Sequence, residues 1–247
     1  MLDNSVISLA TGYWAAEFGC DAGALFAEPL RIVHHRNSFA DYHGVFGLFR
    51  QGAAIVSVPS HQAGLLHPLL TEVAHDRSPA ALGSALQSVA TSIIGPAYLG
   101  YSLSVTAPVH PTRVLTLQDF PAWQKLQRSC DPTEWEHGGS VLAPDQGDSS
   151  TVNPCSGVFI DGLLAAVAGY ETWGGTIAHI SVVTHPGFRR RGLARSAVAH
   201  LCGHAMAAGL LPQYRTLESN MASLRVAESL GFSPYARSLA VRLKPSL

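Results

Sequence analysis

In the second half of this chain, short blocks of apolar residues each end on a turn signal. Residues 157–160, 163–173 and 176–183 are rich in Val, Ile, Ala and aromatic side chains and predict three successive strands. They are joined by Asp161-Gly162 and Gly174-Gly175, both of which suit tight hairpin turns. From Leu193 the period changes. Leu193, Ala197 or Val198, Leu201 and Ala205 fall at helical spacing, and Gly209 supplies a stop. Residues 214–217 predict a short strand. Asn220 then caps a helix carrying Leu224, Ala227 and Leu230 up to Gly231. Residues 238–243 alternate, with Leu239, Val241 and Leu243 on one face. Upstream, residues 113–117 predict a first strand, and Gln118 or Asp119 opens a helix through Cys130 with Pro121 in its first turn.

The chain before about Thr106 has a different character. Residues 30–34, 45–50 and 53–59 predict strands, with Gln51-Gly52 as a tight turn, and residues 65–75 and 80–93 predict helices ahead of Gly95-Pro96. Pro108, His110 and Pro111 mark a linker, so the expected domains are residues 1–107 and 113–247. With 247 residues, 47% of them hydrophobic, the chain can bury two small cores or one large one.

The junction between residues 179 and 195 is the most informative segment. Ile180, Val182 and Val183 favour a buried strand, and Pro186 withholds the amide that a continuing ladder needs. The helix starts near Gly192, so Arg189, Arg190 and Arg191 lie in a loop that feeds a helix N-terminus. Such a loop collects unpaired backbone N–H groups and the positive end of the helix dipole, which suits a pyrophosphate. Arg189-Arg190-Arg191-Gly192-Leu193-Ala194 fits the pattern Arg/Gln-x-x-Gly-x-Gly/Ala, and Asn220 to Phe232 supplies a second motif in the matching order. In these residues the chain resembles the GNAT superfamily of acyl-CoA-dependent N-acetyltransferases, over roughly residues 113–243.

The resemblance implies an α+β fold: a mixed, mostly antiparallel sheet flanked by helices, preceded here by a smaller α/β N-terminal domain that could be a degenerate second GNAT half. It implies acetyl-CoA as the acyl donor. Arg189, Arg190, Arg191, Gly192, Leu193, Ala194 and Arg195 would hold the pyrophosphate, with Asn220 and Ser223 against the pantetheine. A backbone N–H of Val182, Val183 or Thr184 would meet the thioester oxygen. The acceptor would be a primary amine of a small molecule or protein, attacking directly.

Acyl transfer to an amine needs a base, because an alkylammonium has a pKa of about 10.4. Glu136 and His137, in the cluster 134–137, are the preferred candidates, with Glu171 at the end of a predicted strand also in reach. His179 is equally readable as a core histidine. Trp135, Tyr170 and Trp173 suggest a walled, partly apolar pocket. The tyrosine that many relatives place seven residues after the asparagine is Ala227 here, which favours slightly a second reading, a non-catalytic acyl-CoA sensor.

Composition removes other classes. A net charge of -1 with 13% charged residues gives no global field for nucleic acid. Cys20, Cys130, Cys155 and Cys202 are scattered and read as reduced. His200 and His204 share a helical face without a spaced third ligand, so no metal is expected. No apolar run reaches a membrane-spanning length, so a cytoplasmic protein with no membrane contact is expected, with a second copy of the chain as an allowed partner.

Overall fold

The computed structural model describes residues 3–245 apart from 141, 143, 146 and 147. The first elements are α1 (Asn4–Phe18), β1 (Leu30–His34), β2 (Gly44–Arg50), β3 (Ala53–Val58), α2 (Ala63–Leu69), α3 (Pro79–Leu86) and β4 (Ala90–Tyr101). Then come β5 (Arg113–Val114), α4 (Phe120–Ser129), α5 (Pro132–Gly138), β6 (Pro144–Asp145), β7 (Asp148–Val152), β8 (Cys155–Ile160) and β9 (Leu163–Trp173). The chain ends with β10 (Ile177–Thr184), α6 (Leu193–Ala207), β11 (Leu211–Leu217), α7 (Met221–Ser229) and β12 (Ser233–Leu243). The α+β class with a mostly antiparallel sheet and flanking helices is as expected.

Two compact units divide the chain: Met1–Gly100 with Arg215–Leu224 and Pro234–Leu247, and Tyr101–Tyr214 with Arg225–Ser233. The expected division at residues 107–113 therefore does not describe the C-terminal segment, which belongs with the first unit. The reason is hydrophobic. β12 pairs antiparallel with β2, and its Leu239, Val241 and Leu243 enter a core with Val45, Val56, Leu66 and Leu82. Strand order in this unit is β1-β3-β2-β12-β4.

Three elements of the first unit differ from expectation. Helix α1 is unanticipated: Asp3 caps it by accepting from the Ser5 amide at 2.7 Å, and Trp14 stacks on Phe46 with ring centroids 5.7 Å apart. Apolar residues surround it too evenly to print a period. The helix expected over residues 65–75 is α2 followed by a 3-10 turn, with Pro68 inside α2. The helix expected over residues 80–93 stops at Leu86, and from Ala90 the β-branched Thr91, Ile93 and Ile94 join a twelve-residue strand.

In the second unit β5, β8, β9 and β10 are successive antiparallel neighbours, and the first part of β11 pairs parallel to β10 after the α6 crossover. Asp161 and Gly162 adopt positive φ (48° and 77°), as do Gly174 and Gly175 (54° and 65°), so both hairpins carry the turn conformations their sequences favour. Helix α4 supplies Trp123 and Leu126 to a core against Leu164, Val167 and Val183.

The α4 entrance is set by a capping box at Thr116 and Asp119, and the Arg113 guanidinium donates to both Asp119 oxygens at 2.8 and 2.5 Å. Arg113 and the Thr116 amide together hold the Asp119 carboxyl down to about 2. The folded pKa lies below the unfolded one, so this carboxylate stabilises the fold above pH 4 and that contribution disappears as pH falls toward 2. Asp119→Asn is expected to be less stable than wild type in urea unfolding at pH 7, with the gap narrowing between pH 4 and pH 2.

Candidate active site

Strand β10 ends in the motif-bearing loop. The His185 amide donates to Ala165 O at 2.9 Å and the Leu211 amide to Thr176 O at 2.8 Å. With an unbroken β9–β10 register, odd-numbered residues of β10 therefore bond β9, and even-numbered ones present N–H and C=O to the opposite edge. Pairing with β11 stops at Ile180↔Tyr214. The Val182 and Thr184 amides thus face an edge where that ladder has ended. Val183 must be corrected as an oxyanion donor: its amide belongs to the β9 ladder and its side chain to the α4 core.

Pro186 opens a single 3-10 turn, and then seven consecutive amides, residues 189–195, have no hydrogen-bond partner among the described residues. Arg190 (φ 62°) and Gly192 (φ 75°) are both left-handed. Together with the start of the fifteen-residue α6 they leave a run of free N–H groups, called the nest below, in the setting that suits an anion. Residues 189–192 are exposed, while Leu193 anchors the first turn in the core.

The arginines have separate tasks. Arg189 is tied to Glu134 at 2.6 Å and leans on Thr184 O at 3.4 Å, so it braces the loop. Arg191 lies over the Phe188 ring at 5.5 Å. Arg195, in the first turn of α6, keeps its Nε buried without a partner among the described residues. A cation there opposes the helix dipole, and an anion in the nest would reverse that penalty.

A cavity of about 210 Å³ opens on the α5 side of β10, lined by residues that include Glu136, Ser140, Cys155, Glu171, Trp173, His179 and Ser181. Two of the three expected catalytic residues, Glu136 and Glu171, meet here. His137 lies in α5, and its side chain is outside the described residues. Glycine makes the approach of α5 possible, since a Cβ on Gly138 would lie 2.9 Å from Val182 O. Burial pushes the Cys155 thiol up to about 11, so no thiolate nucleophile stands in this cavity at neutral pH.

His179 is bound into a network. It stacks on Trp173 with centroids 3.9 Å apart, and its Nδ1 lies 2.8 Å from Nε2 of Gln213. Gln213 is fully buried and accepts from the Tyr101 hydroxyl at 2.7 Å. Sequence offered His179 as a core or a catalytic residue; the geometry gives it one edge at the cavity and the other on a buried relay. Gln213 carried no local signal, because its partners sit on other strands.

Asn220 and Ser223 belong to the first unit. The Asn220 Oδ1 accepts from the Ser223 amide at 3.1 Å, the expected helix cap. His200 and His204 bond to the sheet instead of to one another: His200 Nδ1 to Ser156 Oγ at 2.9 Å, and His204 Nδ1 to the Tyr170 hydroxyl at 3.1 Å.

A GNAT acetyltransferase family model matches residues 157–237, which span β8, the hairpins, the nest and α6 through to β12. Over these residues the chain is similar to the GNAT acetyltransferase family. A GNAT-family acetyltransferase from Colwellia psychrerythraea shares the fold over 99% of this chain and 98% of its own, at TM-score 0.52 and 12% identity. A putative GNAT-family acetyltransferase from Novosphingobium aromaticivorans is 25% identical over 62% of this chain, at TM-score 0.46, and the chain spans 65% of its length. No curated protein matches. Among the described residues no helix is long and apolar enough to cross a membrane.

If the nest binds a diphosphate, a β-branched residue at position 192 must harm it. Gly192→Val has room for its Cβ, the nearest atom being His110 Nε2 at 3.7 Å, but must hold φ near 75°. That conformation costs a Val about 1–2 kcal/mol, which unfolding measurements should show. CoA affinity by calorimetry is expected to fall about tenfold or more as the nest amides turn away.

Proposed function

We propose that this chain is a GNAT acetyltransferase that moves an acetyl group from acetyl-CoA to a primary amine of a small molecule by direct attack. The observation that carries the reading is the run of amides at residues 189–195, together with the buried Arg195 Nε, that have no partner among the described residues. These residues would hold the pyrophosphate, and acetyl-CoA would bring an activated thioester to the Val182 edge. Asn220 and Ser223 remain the pantetheine contacts we assign from their position in the second motif.

The cavity supports the acceptor assignment. Glu136 and Glu171 give it negative charge, no lysine or arginine lines it among the described residues, and about 210 Å³ suits a compact amine better than a large one. A cationic amine would be drawn in by the carboxylates and lose one proton to Glu136 or Glu171, directly or through water. The neutral nitrogen then attacks the thioester carbon. Charge developing on the oxygen is met by the Val182 amide, which already points to the edge of β10. Carbon–sulfur cleavage releases CoA, and the acetylated amine leaves with the proton balance carried to solvent. The protonated, buried Cys155 argues against an acyl-enzyme route.

Thiol release from acetyl-CoA in the presence of an amine panel tests the reading directly. Glu136→Gln is expected to cut turnover about a hundredfold while leaving CoA affinity within about twofold, the usual scale of lost acid–base catalysis. Tight CoA binding without turnover on any amine would instead make the chain a sensor.

A further inference from the structure

The segment that reads as a linker in sequence has a second use. Around Pro108 and Pro111 most residues are exposed, yet His110 is half-buried. Its backbone is clamped: the Val109 and His110 amides both donate to Ser196 Oγ in the first turns of α6, at 3.1 and 3.0 Å, and Thr112 Oγ1 donates to His110 O at 2.9 Å. Ser196 is fully buried. The imidazole then reaches the nest itself, with Nε2 donating to the carbonyl of Arg191 at 2.8 Å.

We infer that His110 is a positioning residue for cofactor binding, which aims the Gly192 amide at the diphosphate by pinning the Arg191–Gly192 peptide. The inference rests on the nest being the pyrophosphate site. In a planar trans peptide the C=O and the following N–H point in opposite directions. Holding the Arg191 carbonyl toward the 107–112 segment therefore turns the Gly192 N–H away from it. Left-handed Gly192 makes this peptide the one most able to flip, since glycine pays little for either orientation. A donor on the outer side removes the alternative in which the carbonyl oxygen faces the anion and repels it.

The test compares two side chains at one position in the full chain. His110→Phe keeps ring volume and loses the donor; His110→Gln keeps an N–H within reach of the carbonyl. Because the backbone clamps do not involve the ring, both variants should melt near wild type by circular dichroism, and His110→Met replaces the phenyl variant should that one not fold. Calorimetry with CoA is expected to show about tenfold weaker binding for His110→Phe, the order expected of one lost amide contact to a charged phosphate, and near wild-type affinity for His110→Gln. Equal affinity of wild type and His110→Phe overturns the inference while the pyrophosphate assignment stands. Equal weakening of both variants also overturns it, since the donor would then not be what matters. A wild-type chain that binds no CoA takes down the pyrophosphate assignment, and this inference with it.

Discussion

Seven adjacent backbone donors, residues 189–195, have no partner among the described residues, and the loop around them is built to keep them free. Nearly all buried backbone N–H groups are paired, and those of a helix start usually find a side-chain cap or a turn carbonyl. Here Gly192 sits at the cap position and offers no side chain, Arg190 is held left-handed, and residues 189–192 are exposed. The surroundings stiffen this arrangement without relieving it. Glu134 fixes Arg189 from outside, Leu193 anchors the helix in the core, and the Ser196 hydroxyl accepts two amides from residues 109 and 110 instead of capping its own helix. The donors stay aimed outward, and positive side chains gather where the dipole already repels them. An anion bound there would meet both the free amides and the positive end of the dipole.

The same strand edge governs which peptide groups lie free next to the nest. Antiparallel pairing with β9 sets which peptide groups of β10 are spent and which face outward, and the end of the β11 ladder leaves the Val182 group on the outward side. Parity also sorts the side chains. His179 and Ser181 share the cavity with Gly169 and Glu171 across the β9 register, while Tyr170 turns to the opposite face and meets His204. Gly169 has a comparable packing role to Gly138, because a Cβ there would lie 2.5 Å from the Ser140 Cβ. Two glycines on different elements therefore let the α5 segment close over the strand and bring Glu136 to the cavity.

What could be read from sequence was local. The hairpins at Asp161-Gly162 and Gly174-Gly175, the proline stop after β10, the α6 period and the Asn220 cap all follow from neighbouring residues, and all are present. Non-local pairings were hidden. Nothing near Ser238 says that β12 pairs with β2, nothing near Ala90 outweighs a helical pattern that in fact breaks into a strand, and α1 has no polar face to announce it. The site divides the same way. The nest is a contiguous motif, whereas the Tyr101–Gln213–His179 chain and the reach of His110 to Arg191 join residues 34 to 112 positions apart. The parity of Val182 against Val183 lay between these cases, because alternation was visible but its phase needed a single cross-strand bond.

The missing tyrosine can be weighed with the same arithmetic. Ala227 is fully buried, so its position offers the leaving group nothing, and Tyr214 is packed against Phe232 with centroids 5.4 Å apart. A free thiol of pKa about 8.5 is only about 1.5 units above neutral pH, so expelling it as thiolate costs about 2 kcal/mol. An alkylammonium near 10.4 is about 3.4 units away, and stripping its proton costs about 4.6 kcal/mol. The demand on the base side is thus more than twice that on the acid side. Under the proposed reaction, a cavity with two carboxylates and a hydrogen-bonded imidazole would answer the larger demand and leave the smaller one to solvent.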